Sequence, residues 1–306
     1  MNLKSLAVGV LILCVSFSGF CFPDAPADAN HPGSKAYAYK IQTKKLQCSN
    51  REVWVFLPLA ENSNQSFPAV VYGHGQALGL KHYKATFEHL AQKGVAAIFP
   101  TYDTGFFDQD WKRMAMDYIS LTNCAISQSG GVINSDQIVF SGHSKGAYVA
   151  SLAAGTAYQK KLTIRPRSVV LFAPAGNDEP SLVALDPAVE MTVVYSDADT
   201  IVSKKISETI YLQAPSKIKQ FIVIKSYLLN TGKAVKADHF WPLTQSALVG
   251  GGPEGPLHYY GSWKWLVAAA LDLKDYSGAG IQPFLYGSSA SDKGVANLKD
   301  EINRSW

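Results

Sequence analysis

Apolar runs of strand length alternate with amphipathic stretches of helix length along most of this 306-residue chain. That alternation predicts an α/β fold built on a doubly wound, mostly parallel sheet. Two further observations point the same way. Several strand-length runs are rich in Val and Ile with no polar alternation, as strands covered on both faces require. The composition is 47% hydrophobic, 17% charged and 11% aromatic, which supplies a sizeable core and excludes a disordered chain. Lys and Arg (28) exceed Asp and Glu (24) by a net +4 with no basic run, so nucleic acid is not an expected partner.

Residues 1–29 read as a signal peptide. Lys4 precedes an apolar run over 6–22, broken only by Ser and Gly. Ala25-Pro26-Ala27 and Ala27-Asp28-Ala29 then offer small-x-small cleavage sites. The alternative is a membrane anchor, since the run is near the lower limit of a bilayer span. The small residues and Pro26 that follow favour cleavage, after which no stable membrane span is expected. Ser18-Gly19-Phe20-Cys21 is not read as a lipoprotein box, because Phe20 is too bulky before the Cys. Residues 30–306 are expected to form one domain, with its core over about 40–273 and a tail at 276–306. Of four cysteines, Cys14 and Cys21 leave with the leader. Cys48 and Cys124 remain, an even pair that suggests a disulfide in an exported protein; two buried thiols are the alternative. The absence of any C-x-x-C pair argues against a zinc module.

The elements follow in order. Residues 37–46 and 51–57 form an antiparallel hairpin at the N-terminal edge of the sheet. Strands are expected at 53–57, 69–72, 95–99, 138–141, 169–172, 192–195 and 221–224. One helix covers 83–93, with Phe87, Leu90 and Ala91 on one face, and a second covers 108–126, with Trp111, Met114, Tyr118 and Leu121. An Ala- and Leu-rich helix covers 144–158, and another amphipathic run covers 260–273. A final short helix is expected at 295–302, within the Gly- and Ser-richer tail.

The chemistry concentrates at one strand-to-helix turn. An apolar strand leads into Gly142-His143-Ser144-Lys145-Gly146, and a small-residue helix follows. This is G-x-S-x-G in the context that gives it meaning, a turn so tight that the flanking residues must be small. It holds the Ser144 hydroxyl above the sheet, at the positive end of the next helix. An alcohol is a poor nucleophile, so a base must take its proton and a carboxylate must orient that base. In this context the acid and then the histidine follow the serine along the chain. Asp199, in Asp199-Thr200-Ile201-Val202, fits the acid, with Asp197 as runner-up or as a cap. His239 lies in a loop after the last apolar strand, where the base belongs; His258 starts the following helix and reads as a packing or capping residue. His82 and His89 share a helical face and are expected to be solvated surface histidines, without the third ligand that a metal site needs. His143 is expected to pack beside the nucleophile. The oxyanion calls for two preorganised donors, expected from the backbone N–H groups of Lys145 and of Gln76 in Gly73-His74-Gly75-Gln76.

His74-Gly75, the Gly142–Gly146 elbow, Asp199-Thr200-Ile201-Val202 and His239, in that order, resemble the α/β-hydrolase superfamily. Within it the chain resembles the exported esterases that include bacterial cutinases, polyester hydrolases, chlorophyllase and dienelactone-hydrolase-like enzymes. The resemblance covers about 40–273. It implies an α/β-hydrolase fold, and the short stretch from Phe172-Ala173-Pro174 to Met191 leaves no room for a large lid. It implies Ser144 as nucleophile, Asp199 as acid, His239 as base, and Gln76 and Lys145 as oxyanion donors. Polyester hydrolases carry an aromatic residue at the position of Gln76 and Met at that of Lys145, and chlorophyllase has Arg there. These departures set the chain apart from polyester hydrolases.

The function expected is hydrolysis of carboxylic esters, with a small-molecule or lipid-like substrate and with no cofactor or metal. Phe106, Phe107, Trp111, Phe240 and Trp241 are candidates to line an apolar pocket, although core packing accounts for each of them as well. An amidase or peptidase with the same triad, or a catalytically silent hydrolase fold that binds lipid or protein, are the alternatives.

Overall fold

The computed structural model describes residues 25–273 and 295–297, apart from positions 61, 63, 103–104, 106–107, 178–184, 229–233 and 246–249. Residues 1–24 of the expected leader, Phe106 and Phe107 therefore lie outside the described residues. Ala27, Asp28 and Ala29, at the expected cleavage sites, are exposed.

A nine-stranded sheet has the order β1-β2-β4-β3-β5-β6-β7-β8-β11. Its members are β1 (Ile41–Cys48), β2 (Arg51–Pro58), β3 (Phe67–Gly73), β4 (Ala96–Pro100), β5 (Ile133–His143), β6 (Ser168–Phe172), β7 (Glu190–Ser196), β8 (Lys219–Ile224) and β11 (Val295–Asn297). Two-residue strands β9 (Tyr227–Leu228) and β10 (Ala234–Val235) pair separately. The strands from β4 to β8 are mutually parallel, and β1, β2 and β11 pair antiparallel at the edges. The sheet is thus α/β and mostly parallel, with the N-terminal hairpin where it is expected.

Burial follows the sequence pattern. Every residue of β4 and β6 is buried, whereas the edge strand β1 is largely exposed or half-buried and carries half-buried Lys44 and exposed Lys45, charges that blunt an open edge. Successive residues serve opposite faces. Val169 and Leu171 of β6 pack on the side of α2 (Trp111–Gln128), α3 (Lys145–Gln159) and α4 (Lys204–Gln213). Val170 and Phe172 pack on the other side, with α1 (Lys84–Gln92) and α5 (Trp263–Leu271). Helices therefore cover both faces, as the unbroken apolar strands require. The chain leaves β3 through α1 on one face to reach β4, then crosses back through α2 on the other face to β5. The connections that follow β3 (α1) and β5 (α3) thus leave on opposite faces, and it is at the carboxyl ends of such neighbouring strands that open α/β sheets bind ligands.

Two expectations at the periphery are corrected. The helix expected at 295–302 is not formed at its start: Val295–Asn297 is a strand paired antiparallel with Ile222–Ile224. The apolar edge of β8 satisfies that short segment with ladder hydrogen bonds, so tertiary pairing overrides local propensity. Positions 298–302 lie outside the described residues. His82 and His89 are not solvated but buried. His89 stacks on Trp263 with ring centroids 4.1 Å apart, and its Nε2 bonds the Pro32 carbonyl at 2.9 Å. His82 Nδ1 bonds the turn at Gly79. Among the described residues no helix is long and apolar enough to cross a membrane.

Cys48 at the end of β1 and Cys124 on α2 form a disulfide across a sequence separation of 76. It ties the edge hairpin to the helix layer and restricts the unfolded chain. The double variant Cys48→Ser/Cys124→Ser is expected to lose about 2–4 kcal/mol, measured by urea unfolding under oxidising conditions. An unchanged midpoint would contradict this.

Candidate active site

The site begins with three glycines. Gly73 ends β3 beside Gly142 of β5, and both meet Gly146 in the first turn of α3. A Cβ on Gly146 would lie 2.2 Å from the Gly73 carbonyl group, and one on Gly142 would lie 2.4 Å from Gly146 backbone. No side chain fits either position, so the helix start is seated directly on the strand ends.

Between them Ser144 adopts φ 57° and ψ −125°, a strained conformation for a residue with a side chain. Tertiary bonds hold it there: its N–H donates to the Phe172 carbonyl (2.9 Å), and its own carbonyl accepts from Ala175 (3.1 Å) as well as from Ala147 (3.0 Å) in the first turn of α3. The hydroxyl is directed to His239, with Oγ 2.9 Å from Nε2. His239 Nδ1 lies 2.8 Å from Asp199 Oδ2. The other carboxylate oxygen accepts the amides of Ile201 (2.9 Å) and Val202 (3.0 Å), which fixes the rotamer of the acid. All three side chains are buried.

These bonds orient the ring. In the neutral imidazole, Asp199 accepts from the Nδ1–H of His239, which leaves Nε2 to accept from the Ser144 hydroxyl. Burial pushes the Asp199 carboxyl up, but hydrogen bonding and charge from His239, with the Val202 and Ile201 amides, outweigh it and hold the group below its ordinary value. The arrangement can move a proton from a serine hydroxyl to an imidazole while a carboxylate stays ionised.

The remaining residues sort by position. Asp197 accepts the Ser226 amide and hydroxyl, both at 2.8 Å, and so caps a turn away from His239. His258 is buried between the Gly255 amide and the Leu243 carbonyl. Gln76 is exposed in the loop after β3, whose Gly73 and His74 carbonyls border the elbow. Lys145 opens α3; its buried side chain reaches the Asp108 carbonyl at 2.8 Å, 5.8 Å above the ring of Trp111. Half-buried Trp111 meets Tyr148 edge-on at 5.0 Å, and Phe240 meets the ring of His239 edge-on at 5.1 Å. Trp241 instead packs on Phe172 in the core and borders a separate cavity of about 290 Å³ with Val235, Lys236, Asp238 and Leu257. Among the described residues no group of three His, Cys, Asp or Glu side chains is placed to hold a metal ion.

Tyr83 is a site residue that the sequence does not reveal. Its hydroxyl accepts the Gly75 amide and reaches His143, yet in the sequence it is one more aromatic at the start of an amphipathic helix. No local pattern separates a core tyrosine from one whose hydroxyl meets a partner 60 residues away.

Comparison with known proteins finds no family model that matches the chain and no matching curated relative.

Four buried histidines give the protein a signed response to acid. Burial lowers His89 and His143 to about 3, and His31 and His258 to about 4, from an ordinary 6.5. Below pH 6.5 the unfolded chain takes up protons that the folded chain refuses until about pH 3–4, so stability falls as pH falls across that window. The urea midpoint is expected to be clearly lower at about pH 4.5 than at about pH 7. A midpoint that holds or rises would contradict it.

Proposed function

We propose that the protein is a serine hydrolase that cleaves carboxylic esters through an acyl-enzyme, on an α/β-hydrolase scaffold without a large lid. The observation that carries this reading is the hydrogen-bonded chain Ser144–His239–Asp199, with its serine on a strained turn between a central parallel strand and a helix N-terminus. A buried serine serving only as a cap needs neither that backbone strain nor an acid-oriented imidazole. The chain order Ser, Asp, His is the one expected for this architecture.

In this mechanism His239 Nε2 takes the Ser144 proton as Oγ attacks the ester carbonyl carbon. Negative charge develops on the carbonyl oxygen and is received by the N–H groups of Gln76 and Lys145, the latter at the start of α3, where the helix dipole favours an anion. The tetrahedral intermediate collapses, the C–O bond breaks, and Nε2–H protonates the departing alkoxide. Water, deprotonated by the same imidazole, then attacks the acyl-enzyme and releases the acid and free Ser144. Asp199 stays ionised throughout and stabilises the imidazolium. Every proton moves between Ser144, His239, substrate and water, so the scheme draws on no metal or cofactor. The substrate class is a small-molecule or lipid-like ester, met at a rim where Ile201 is 62% exposed and Phe240 half-buried. Export after removal of a signal peptide completes the reading, and the Cys48–Cys124 disulfide supports an oxidising destination.

Ser144→Ala is expected to lower kcat for a p-nitrophenyl ester by at least about 10³-fold while its thermal unfolding stays close to that of the wild type. Turnover that survives the substitution overturns the proposal. Matched ester and amide substrates of one acyl group, assayed in parallel, are expected to favour the ester.

A further inference from the structure

His143, the residue before Ser144, has a fully buried ring that takes no part in the proton transfer above. Both of its ring nitrogens are nonetheless engaged by distant parts of the site. Nε2 lies 2.8 Å from the backbone carbonyl oxygen of His239. Nδ1 lies 2.9 Å from the Tyr83 hydroxyl, which accepts the Gly75 amide at 3.1 Å.

The polarity of this chain of bonds is determined. A carbonyl oxygen only accepts, so His143 Nε2 carries the proton. The Nδ1 of a neutral ring is then the acceptor, the Tyr83 O–H is its donor, and the hydroxyl oxygen is left to accept from Gly75. Protons therefore point one way, from the Gly75 amide through Tyr83 and His143 to the backbone of His239. Burial first, and then the nearby His239, hold the His143 ring down to about 3, which keeps it neutral wherever the protein is folded at ordinary pH.

The contact falls where the base has least support. Residues around His239 form a loop rather than a strand or helix. The bonds that reach the two preceding carbonyls from other elements are longer: Ala198 N–H to Ala237 and Ser196 Oγ to Asp238, both at 3.3 Å. Asp199 orients the imidazole but does not touch its backbone. We infer that His143 is a positioning residue, a neutral donor that fixes the backbone of His239 so that Nε2 meets the Ser144 hydroxyl, and that Tyr83 sets its tautomer and ties it to the Gly73–Gln76 loop. The inference rests on the proposed roles of Ser144 and His239. Displacement of the base by a fraction of an ångström to one ångström is enough to slow proton transfer without altering how substrate binds.

The two ends of the ring are separable by substitution. In His143→Gln the amide nitrogen extends to the place of Nε2 and donates to the His239 carbonyl. In His143→Asn the shorter amide reaches Tyr83 alone and leaves that buried carbonyl without its donor. For a p-nitrophenyl ester the Gln variant is expected to keep kcat within about threefold of the wild type, and the Asn variant to fall by about tenfold or more, with KM similar in all three. Melting temperatures, measured alongside, are expected to be similar for the two variants. If the two fall together, or neither falls, the positioning role is overturned. If instead Ser144→Ala leaves wild-type turnover intact, the reading of the site itself has failed and the inference falls with it.

Discussion

The site depends on one backbone-to-backbone contact, the seating of the first turn of α3 on the ends of β3 and β5 through Gly73, Gly142 and Gly146. Removing three side chains lets a helix start where a strand stops, with a single residue in between. That residue, Ser144, has no relaxed conformation available to it, and the Phe172 and Ala175 bonds hold it in the strained one. The core supplies the stability that the strain consumes: β4 and β6 are buried along their full length, and α3 is buried on nearly every side. The proposed nucleophile thus sits on a strained residue that fully buried strands and a buried helix support.

Electrostatics then divide the site into charged and neutral parts. Asp199 is buried yet ionised, because an imidazole and two amides satisfy its oxygens. His143, a few ångströms from His239, is buried and neutral, because its partners are a carbonyl and a hydroxyl and no carboxylate touches it. Two histidines side by side thus differ in their hydrogen-bond partners, which suits them to the different tasks proposed for them. A second cation beside His239 would oppose the imidazolium that the proposed proton transfer creates, and a neutral His143 avoids that repulsion.

Much of this architecture is legible in the sequence because it is local. The parallel strands announce themselves as unbroken Val/Ile-rich runs and the elbow as glycines at fixed spacing, while chain order with the local context of each residue favours Asp199 over Asp197 and His239 over His258 as partners of Ser144. Where the physics is non-local the sequence misleads or is silent. Val295–Asn297 joins the sheet because β8 offers an open edge, a fact no local pattern contains. His89 lies on α1 with polar neighbours, yet the segment around Pro32 and the side chain of Trp263 cover it, and His82 falls outside α1, in the 3-10 turn 80–82 that its Nδ1 ties to Gly79. β5 begins at Ile133, five residues before its apolar run, because buried Ile133 pairs with Phe67 of β3 and a register shift then passes over the polar, partly exposed positions 134–137. The Tyr83–His143 bond joins residues 60 apart and leaves no periodic trace. The Cys48–Cys124 pairing is open in the sequence between a bridge and two thiols, and only the close approach of the β1 end to α2 resolves it.

The central claim is that the Ser144 hydroxyl is activated by the folded arrangement around it rather than by its intrinsic chemistry. Treating the folded protein with a fluorophosphonate and mapping the adduct by peptide mass spectrometry tests this directly. The account predicts one adduct, on Ser144, which does not form when the protein is unfolded before treatment. No adduct, or one carried by another residue while Ser144 stays unmodified, would contradict it.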